Sequence, residues 1–181
     1  MVLALLTASL VSIICFGITA FRGYTMTAGA GLTGHFLFGF FTTFLVALAQ
    51  SMTMFYFIGT GKQVKDLVSS HPAGKEFIQR TKIFKAKVFP PATWAILFTM
   101  ATMILGGGVH TRVAWAPPIV HTILAAAALY YNLIAFWREA KYMVEHNMLM
   151  EELGRLLTVG NIPLLAEEGW PRRQENGPVP K

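Results

Sequence analysis

Two histidines lie in apolar stretches that should form helices, where an imidazole could act as a metal ligand. His35 lies near the start of one apolar stretch and His121 near the start of another. A helix turns by about 100° per residue, so each histidine shares its helix face with mostly small or polar residues. These are Gly39, Thr42, Val46, Ala49 and Thr53 after His35, and Ala125, Ala128, Asn132, Ala135 and Glu139 after His121. Two imidazoles at one depth, each beside small residues, suit a haem with one imidazole on each side of its iron.

From this pattern we expect a haem b with His35 and His121 as its axial ligands. In an up-down bundle, diagonal helices lie roughly 13 Å apart, about the span of two imidazoles with a metal between them. Arg22 and Arg112, isolated at the same end, could pair with the haem propionates. Room for the macrocycle would come from the small residues nearest the histidines, Gly39, Thr42, Ala125 and Ala128.

Two other interpretations of the histidines stay open. Small residues in register are also typical of closely packed membrane helices, where a buried histidine only hydrogen-bonds across an interface. Alternatively, His35, His110 and His121 could form a copper or zinc site, although His110 follows three glycines that look flexible. We expect His71 and His146 to be ordinary solvated residues.

Other polar residues near the middle of two helices could line a quinone or substrate pocket. They are Gln50, Ser51 and Thr53, with Tyr130, Tyr131 and Asn132. Interhelical hydrogen bonding is the more common use of such residues. The first three apolar stretches contain no Asp, Glu or Lys, which argues against an ion-driven transporter. The single Cys15 excludes a disulfide within one chain, and no catalytic residue is predicted.

Four stretches without Asp, Glu, Lys or Arg must position these side chains. A hydrocarbon core of about 30 Å needs roughly 20 apolar residues in a helix, and each stretch is long enough to cross it. We therefore predict an all-α integral membrane four-helix bundle with up-down topology. The stretches are 1–21, 23–61, 88–111 and 113–137.

Proline and glycine predict the helix ends. Helix 2 is expected from about Thr33 to Ile58. Pro90 and Pro91 should occupy the first turn of helix 3, which should unravel at glycines 106–108. Pro117 and Pro118 should introduce helix 4.

Helix 4 should continue past Trp137 into the cytoplasm, because few helix breakers follow until residue 160. Residues 1–160 would then form the transmembrane domain with its cytoplasmic helical extension. Residues 161–181 would be a polar tail rich in proline and glycine.

Basic residues are distributed unevenly along the chain. Thirteen of the 15 lie within 62–87 or after Trp137, and only Arg22 and Arg112 lie between other stretches. The positive-inside rule therefore places both termini in the cytoplasm. The net charge of +6 then reflects membrane orientation and lipid contact, not nucleic acid binding. We expect a bacterial inner (plasma) membrane location, with the first stretch retained as a helix because it lacks a basic leader.

The expected cytoplasmic helix, 139–157, mixes apolar with charged residues, so it should contact the membrane surface or another subunit. In helix count and histidine placement the chain resembles the membrane anchors of respiratory complexes, such as the haem b subunits of succinate dehydrogenase, without a shared sequence motif. We expect a b-type cytochrome subunit of an oxidoreductase complex, carrying electrons between a partner protein and a quinone or other carrier. The alternative is a cofactor-free structural or anchoring subunit of a membrane complex.

Overall fold

The computed structural model describes residues 1–25, 31–69 and 74–159. Within these residues, the regular secondary structure is entirely α-helical. This confirms the all-α prediction, and all four helices are long and apolar enough to cross a membrane. Whether the termini face the cytoplasm stays a prediction. The helices are α1 (Val2–Thr25), α2 (Leu32–Val68), α3 (Gly74–His110) and α4 (Pro118–Val159).

The helices pack as a bundle in which α2 and α4 are diagonal. The main contacts join α1 to α2, α2 to α3, α3 to α4, and α4 back to α1. The bundle therefore has two ends. We call the end with the α1–α2 and α3–α4 connections the short-loop end, and the end with the α2–α3 connection the basic end.

Three of the helices project beyond the first at the basic end. α2 and α3 have 37 residues each and α4 has 42, whereas α1 has 24. At about 1.5 Å per residue, a 37-residue helix is about 55 Å long, well beyond a hydrocarbon core of about 30 Å. The projecting parts form a three-helix extension around buried side chains that include Val64, Val68, Phe77, Phe84, Leu149 and Leu153.

The predicted end of helix 2 at Ile58 was therefore wrong. The charged residues that follow mark the end of the apolar span, but not the end of the helix. Lys62 and Lys65 are exposed, while Gly61, Val64 and Val68 are buried at helical spacing. Along one continuous helix, the exposed side chains therefore change from apolar to charged.

The predicted continuation of helix 4 past Trp137 is confirmed as far as Val159. Its apolar face packs on the chain itself: Leu149, Leu153 and Leu157 are buried in the core of the extension. Only some apolar residues of this segment, Val144, Met148 and Leu156, stay exposed. The predicted tail, 161–181, lies outside the described residues.

Pro90 and Pro91 lie inside α3 and not in its first turn, so that prediction was wrong. Proline lacks the N–H that would bond the carbonyl four residues earlier, and for Pro91 that carbonyl belongs to Lys87. The Arg138 guanidinium of α4 donates a hydrogen bond to the Lys87 oxygen at 3.2 Å. A neighbouring helix thus satisfies the acceptor that proline leaves free, which allows α3 to continue.

The glycines at 106–108 also remain helical, contrary to prediction, and α3 ends at His110. Arg112 then adopts a left-handed conformation with φ of 57°. Its N–H bonds the Val109 oxygen, and the Val113 N–H bonds the Gly108 oxygen, both at 3.1 Å. This paired pattern is a Schellman motif, so the exit from α3 is an ordered turn.

Candidate functional site

His35 and His121 face each other inside the short-loop end. His35 lies in the first turn of α2 and His121 in the first turn of α4. Their ring centroids are 6.5 Å apart and the ring planes are nearly perpendicular, at 88°. The structure therefore brings together the two histidines that the sequence singled out, from diagonal helices and at one depth.

Glycines of the other two helices, α1 and α3, lie directly against these rings. A Cβ at Gly23 of α1 would lie 2.7 Å from Cε1 of His35, and a Cβ at Gly106 of α3 would lie 3.0 Å from Cε1 of His121. Any larger residue at either position would have to displace an imidazole. Gly23 was not predicted to take part in the site, and Gly106 was predicted only to break its helix. Helical spacing gives no direct sign of such contacts, because each joins two helices.

A backbone hydrogen bond fixes the orientation of His121. Its Nδ1 lies 3.0 Å from the carbonyl oxygen of Thr102 on α3. A carbonyl can only accept, so Nδ1 carries the proton, and the lone pair of Nε2 remains available for a ligand. His35 has a buried Nδ1 without a hydrogen-bond partner among the described residues. Both side chains are half-buried.

Thr42 and Ala128, predicted to flank a macrocycle, lie deeper in the bundle. Each is seven residues beyond its histidine, about 10 Å along the helix. The Thr42 hydroxyl is hydrogen-bonded to that of Thr19 at 3.0 Å, and Ala128 packs with Phe16 and Val46. These residues close the interior beneath the histidine pair.

Gly39 and Ala125, one turn from the histidines, are both half-buried. A Cβ at Gly39 would lie 3.4 Å from the Thr19 Cγ2, in ordinary contact distance of α1. These two positions are therefore the predicted small residues closest to the level of the rings.

The two arginines of the short-loop end are both exposed. The Arg22 guanidinium lies 5.8 Å from the centroid of the Phe38 ring, and Arg112 belongs to the turn after α3. Both lie at the end of the bundle that carries the histidine pair. Neither makes a salt bridge with a described acidic residue.

His110 does not complete a three-histidine centre. Its ring stacks on Phe36 at 5.2 Å with an interplanar angle of 17°. Over the described parts of the chain, no three His, Cys, Asp or Glu side chains form a group that could hold a metal ion. The copper or zinc interpretation therefore has no support in the geometry.

The residues predicted to line a quinone pocket differ in their burial. Gln50, Thr53 and Asn132 are buried in the bundle, whereas Tyr130 is exposed. Tyr131 stacks on Phe98 at 5.0 Å. A separate open groove of about 260 Å³ lies between α2 and α3, lined mainly by apolar side chains that include Phe44, Ala47, Met100 and Met103. It contains none of the predicted quinone residues.

His146, expected to be solvated, is buried with only 1% of its surface exposed. Rings of Tyr56, Phe57 and Phe84 lie around it at centroid distances of 5.6, 5.8 and 6.0 Å. The expectation failed because the helix that carries His146 packs inside the extension. A seven-residue repeat of polar residues, Asn132, Glu139 and His146, was the available signal that these three share the inner face.

Comparisons with known proteins do not place the chain in a family. No family model matches it, and neither the curated proteins nor the solved structures contain a match.

Proposed function

We propose that this chain is a membrane cytochrome subunit that binds haem b through His35 and His121. The observation that carries the proposal is the 6.5 Å separation of the facing rings. Two imidazoles bonded to one metal by bonds of about 2 Å would have ring centroids about 6 Å apart, by our estimate from the bond length and the size of the ring. The pair is therefore spaced as axial ligands would be.

The surrounding residues support this role in distinct ways. Thr102 fixes the tautomer of His121 and leaves Nε2 free, an arrangement typical of metal-ligating histidines. Gly23 and Gly106 allow the rings to sit against the helix backbones. Arg22 and Arg112 supply positive charge at the same end of the bundle, suited to two propionates.

A bound haem supplies one-electron transfer. The chain has no catalytic residue of its own in this proposal, and it would carry electrons between a partner protein and a quinone or other carrier as part of an oxidoreductase complex. The exposed Val144, Met148 and Leu156 of α4 are the apolar residues available to that partner.

A cofactor-free anchoring subunit is the second candidate. The observation that favours it is the close packing beneath the histidines, where Thr42 bonds Thr19 and Ala128 meets Phe16 and Val46. In this alternative, the histidine pair is an interhelical contact that fixes how α2 and α4 approach each other.

An absorption spectrum of the full chain, produced with haem available, separates the two candidates. Bound haem should give a strong Soret band and sharp α band on reduction, and His35→Ala or His121→Ala should abolish them. His110→Ala is the matched control, because His110 is at the same end but outside the pair, and its spectrum should be unchanged. A folded wild-type protein without Soret absorbance would reject the cytochrome and leave the anchoring subunit.

The proposed orientation places both termini and the 62–87 segment in the cytoplasm of a bacterial inner membrane, on the strength of the basic residues there. Ser69→Cys and Thr111→Cys, each made in a Cys15→Ser background, lie at opposite ends of the bundle and are both exposed. In intact cells an impermeant thiol reagent should label the Thr111→Cys protein only. Labelling of the Ser69→Cys protein alone would reverse the orientation.

A further inference from the structure

A carboxyl group is buried where the apolar spans meet the three-helix extension. Glu139 of α4 lies two residues beyond Trp137, yet none of its surface is exposed. Its neighbour Arg138 reaches outward to the Lys87 carbonyl on α3. Glu139 instead points into the bundle, where burial of an ionisable side chain is costly. The histidine pair does not explain this burial.

The polar groups around Glu139 come from two other helices, α1 and α2. Ser9 of α1 donates a hydrogen bond to Glu139 Oε2 at 2.8 Å. The amide of Gln50 on α2 faces the same carboxyl. We call Ser9, Gln50 and Glu139 the junction cluster.

No described cation neutralises this carboxyl. The groups that face it from α1 and α2 are a hydroxyl and an amide, neither of which titrates. On α3, Lys87 lies at the level of Arg138, because the two residues are hydrogen-bonded. The next buried residues of α3, Val88 and Ala92, are apolar. A buried carboxylate without a positive partner is strongly disfavoured, so the neutral, protonated form suits this environment.

The junction cluster also has unused hydrogen-bonding capacity. The oxygen of the Gln50 amide and Oε1 of Glu139 are buried without a hydrogen-bond partner among the described residues. Buried polar atoms in native proteins are nearly always satisfied, and ordered water satisfies those that no protein group reaches. Two such atoms at one buried carboxyl therefore indicate bound water there.

We propose that Glu139 is a proton-binding site inside the bundle, and that the junction cluster holds its proton in a hydrated pocket. The protonated carboxyl donates through one oxygen to water or to Gln50, and the other oxygen accepts from Ser9. This site lies 14 residues from Ala125 and 18 from His121 along α4, about 27 Å from the histidine pair. It is consequently independent of whether haem binds there.

Infrared spectroscopy of the full-length protein at neutral pH, in vesicles of ether-linked lipids that contain no ester carbonyl, tests this directly. A protonated carboxyl gives a C=O stretching band separate from that of carboxylates. We expect this band in the wild type and its loss in Glu139→Gln, which preserves the shape of the side chain. Glu152→Gln is the matched control, because Glu152 is exposed and paired with Arg80, and this variant should keep the band.

Two further measurements keep the proposal open to refutation if Glu139→Gln fails to fold. Ser9→Ala removes the donor to Oε2 and should shift the band to higher frequency. Transfer of the wild type to D₂O should shift the band to lower frequency as the proton exchanges for a deuteron. Absence of the band in the wild type would overturn the proposal. So would a band that is present in choline chloride and disappears in sodium chloride at the same pH, since the cluster would then be a cation site.

Discussion

The apolar spans and the three-helix extension use opposite rules for what faces inward. In the spans, Phe40, Phe44 and Phe55 point outward, while Thr42, Gln50 and Ser12 are buried. In the extension, Phe84 and Leu149 are buried and lysines cover the outside. The solvent is the reason. Lipid accepts large apolar side chains, so the interior of the spans is left to small and polar residues, whereas water drives large apolar side chains into the extension.

This comparison explains where chemistry can be placed. A bundle interior made of small and polar residues can hold ligating or protonatable groups, as at His35, His121 and Glu139. The core of the extension contains mainly large apolar and aromatic residues. Here even His146 is surrounded by aromatic rings, and neither of its ring nitrogens has a described partner. The candidate sites therefore belong to the spans and their junction, and the extension serves to hold three helices together.

The largest expected effect breaks the extension. Leu153→Glu would place a charge in a core position that is 2% exposed, whereas Leu156→Glu alters a residue that is 39% exposed. Burial of an unpaired charge should lower the free energy of unfolding by about 3–5 kcal/mol for Leu153→Glu. The Leu156→Glu protein should stay folded. Denaturation monitored by circular dichroism measures both, and equal stability of the two variants would contradict the packing of α4 on its own chain.

The next largest effect is expected at the histidine site. Gly106→Val should push the His121 ring out of place, since even a Cβ would lie 3.0 Å from Cε1. We expect haem absorbance per folded chain to fall at least about tenfold, as for a ligand forced from its bonding geometry. Gly17→Ala is the control, because a Cβ there meets nothing within 4 Å. An unchanged spectrum of Gly106→Val would exclude His121 as a ligand held by α3.

A smaller effect is expected where Arg138 of α4 contacts α3, at the boundary between the apolar spans and the extension. Arg138→Ala removes the donor to the Lys87 carbonyl and should cost about 1–2 kcal/mol of unfolding free energy, as expected for a lost hydrogen bond to a charged group. In a Pro91→Ala background the restored N–H can bond that carbonyl, so the same substitution should cost less. A double-mutant cycle measures the difference. Equal costs in both backgrounds would show that Arg138 does not compensate for the proline.

The smallest effect is expected at the surface of the extension. Arg80 and Glu152 form a salt bridge at 2.6 Å with side chains that are 32% and 51% exposed. Water screens such a pair, so Glu152→Gln should change the unfolding free energy by less than about 1 kcal/mol. Chemical denaturation compared with the wild type gives the value. A loss as large as that of Leu153→Glu would mean that charge, and not apolar burial, stabilises the extension.

Much of the fold was predictable from local pattern. Helical spacing correctly assigned the inward stripe of α2, where Thr42, Val46, Ala49 and Thr53 are buried, and the inward residues of α4 from Ala128 to Glu139. The same spacing put Phe40 and Phe44 outside. These assignments needed only the 3.6-residue period and the absence of charge.

Contacts between helices were not predictable in the same way. Pro90 and Pro91 looked like a helix start, because the sequence does not show that Arg138 would satisfy the Lys87 carbonyl. His146 and Leu153 looked available to solvent or to a partner, because their covering residues lie on α2 and α3. Gly23 and Gly106 had no recognisable role until their helices were set beside those of the histidines.

The sequence by itself determined that there are four helices apolar enough to cross a membrane, which faces of α2 and α4 turn inward, and that His35 and His121 lie at one depth. These properties follow from runs of apolar residues and from the pitch of a single helix. Only the tertiary structure decided how close the two rings come, which glycines hold them and what surrounds Glu139. A helical period gives the direction in which a side chain points, but the neighbour it meets depends on how the four helices pack.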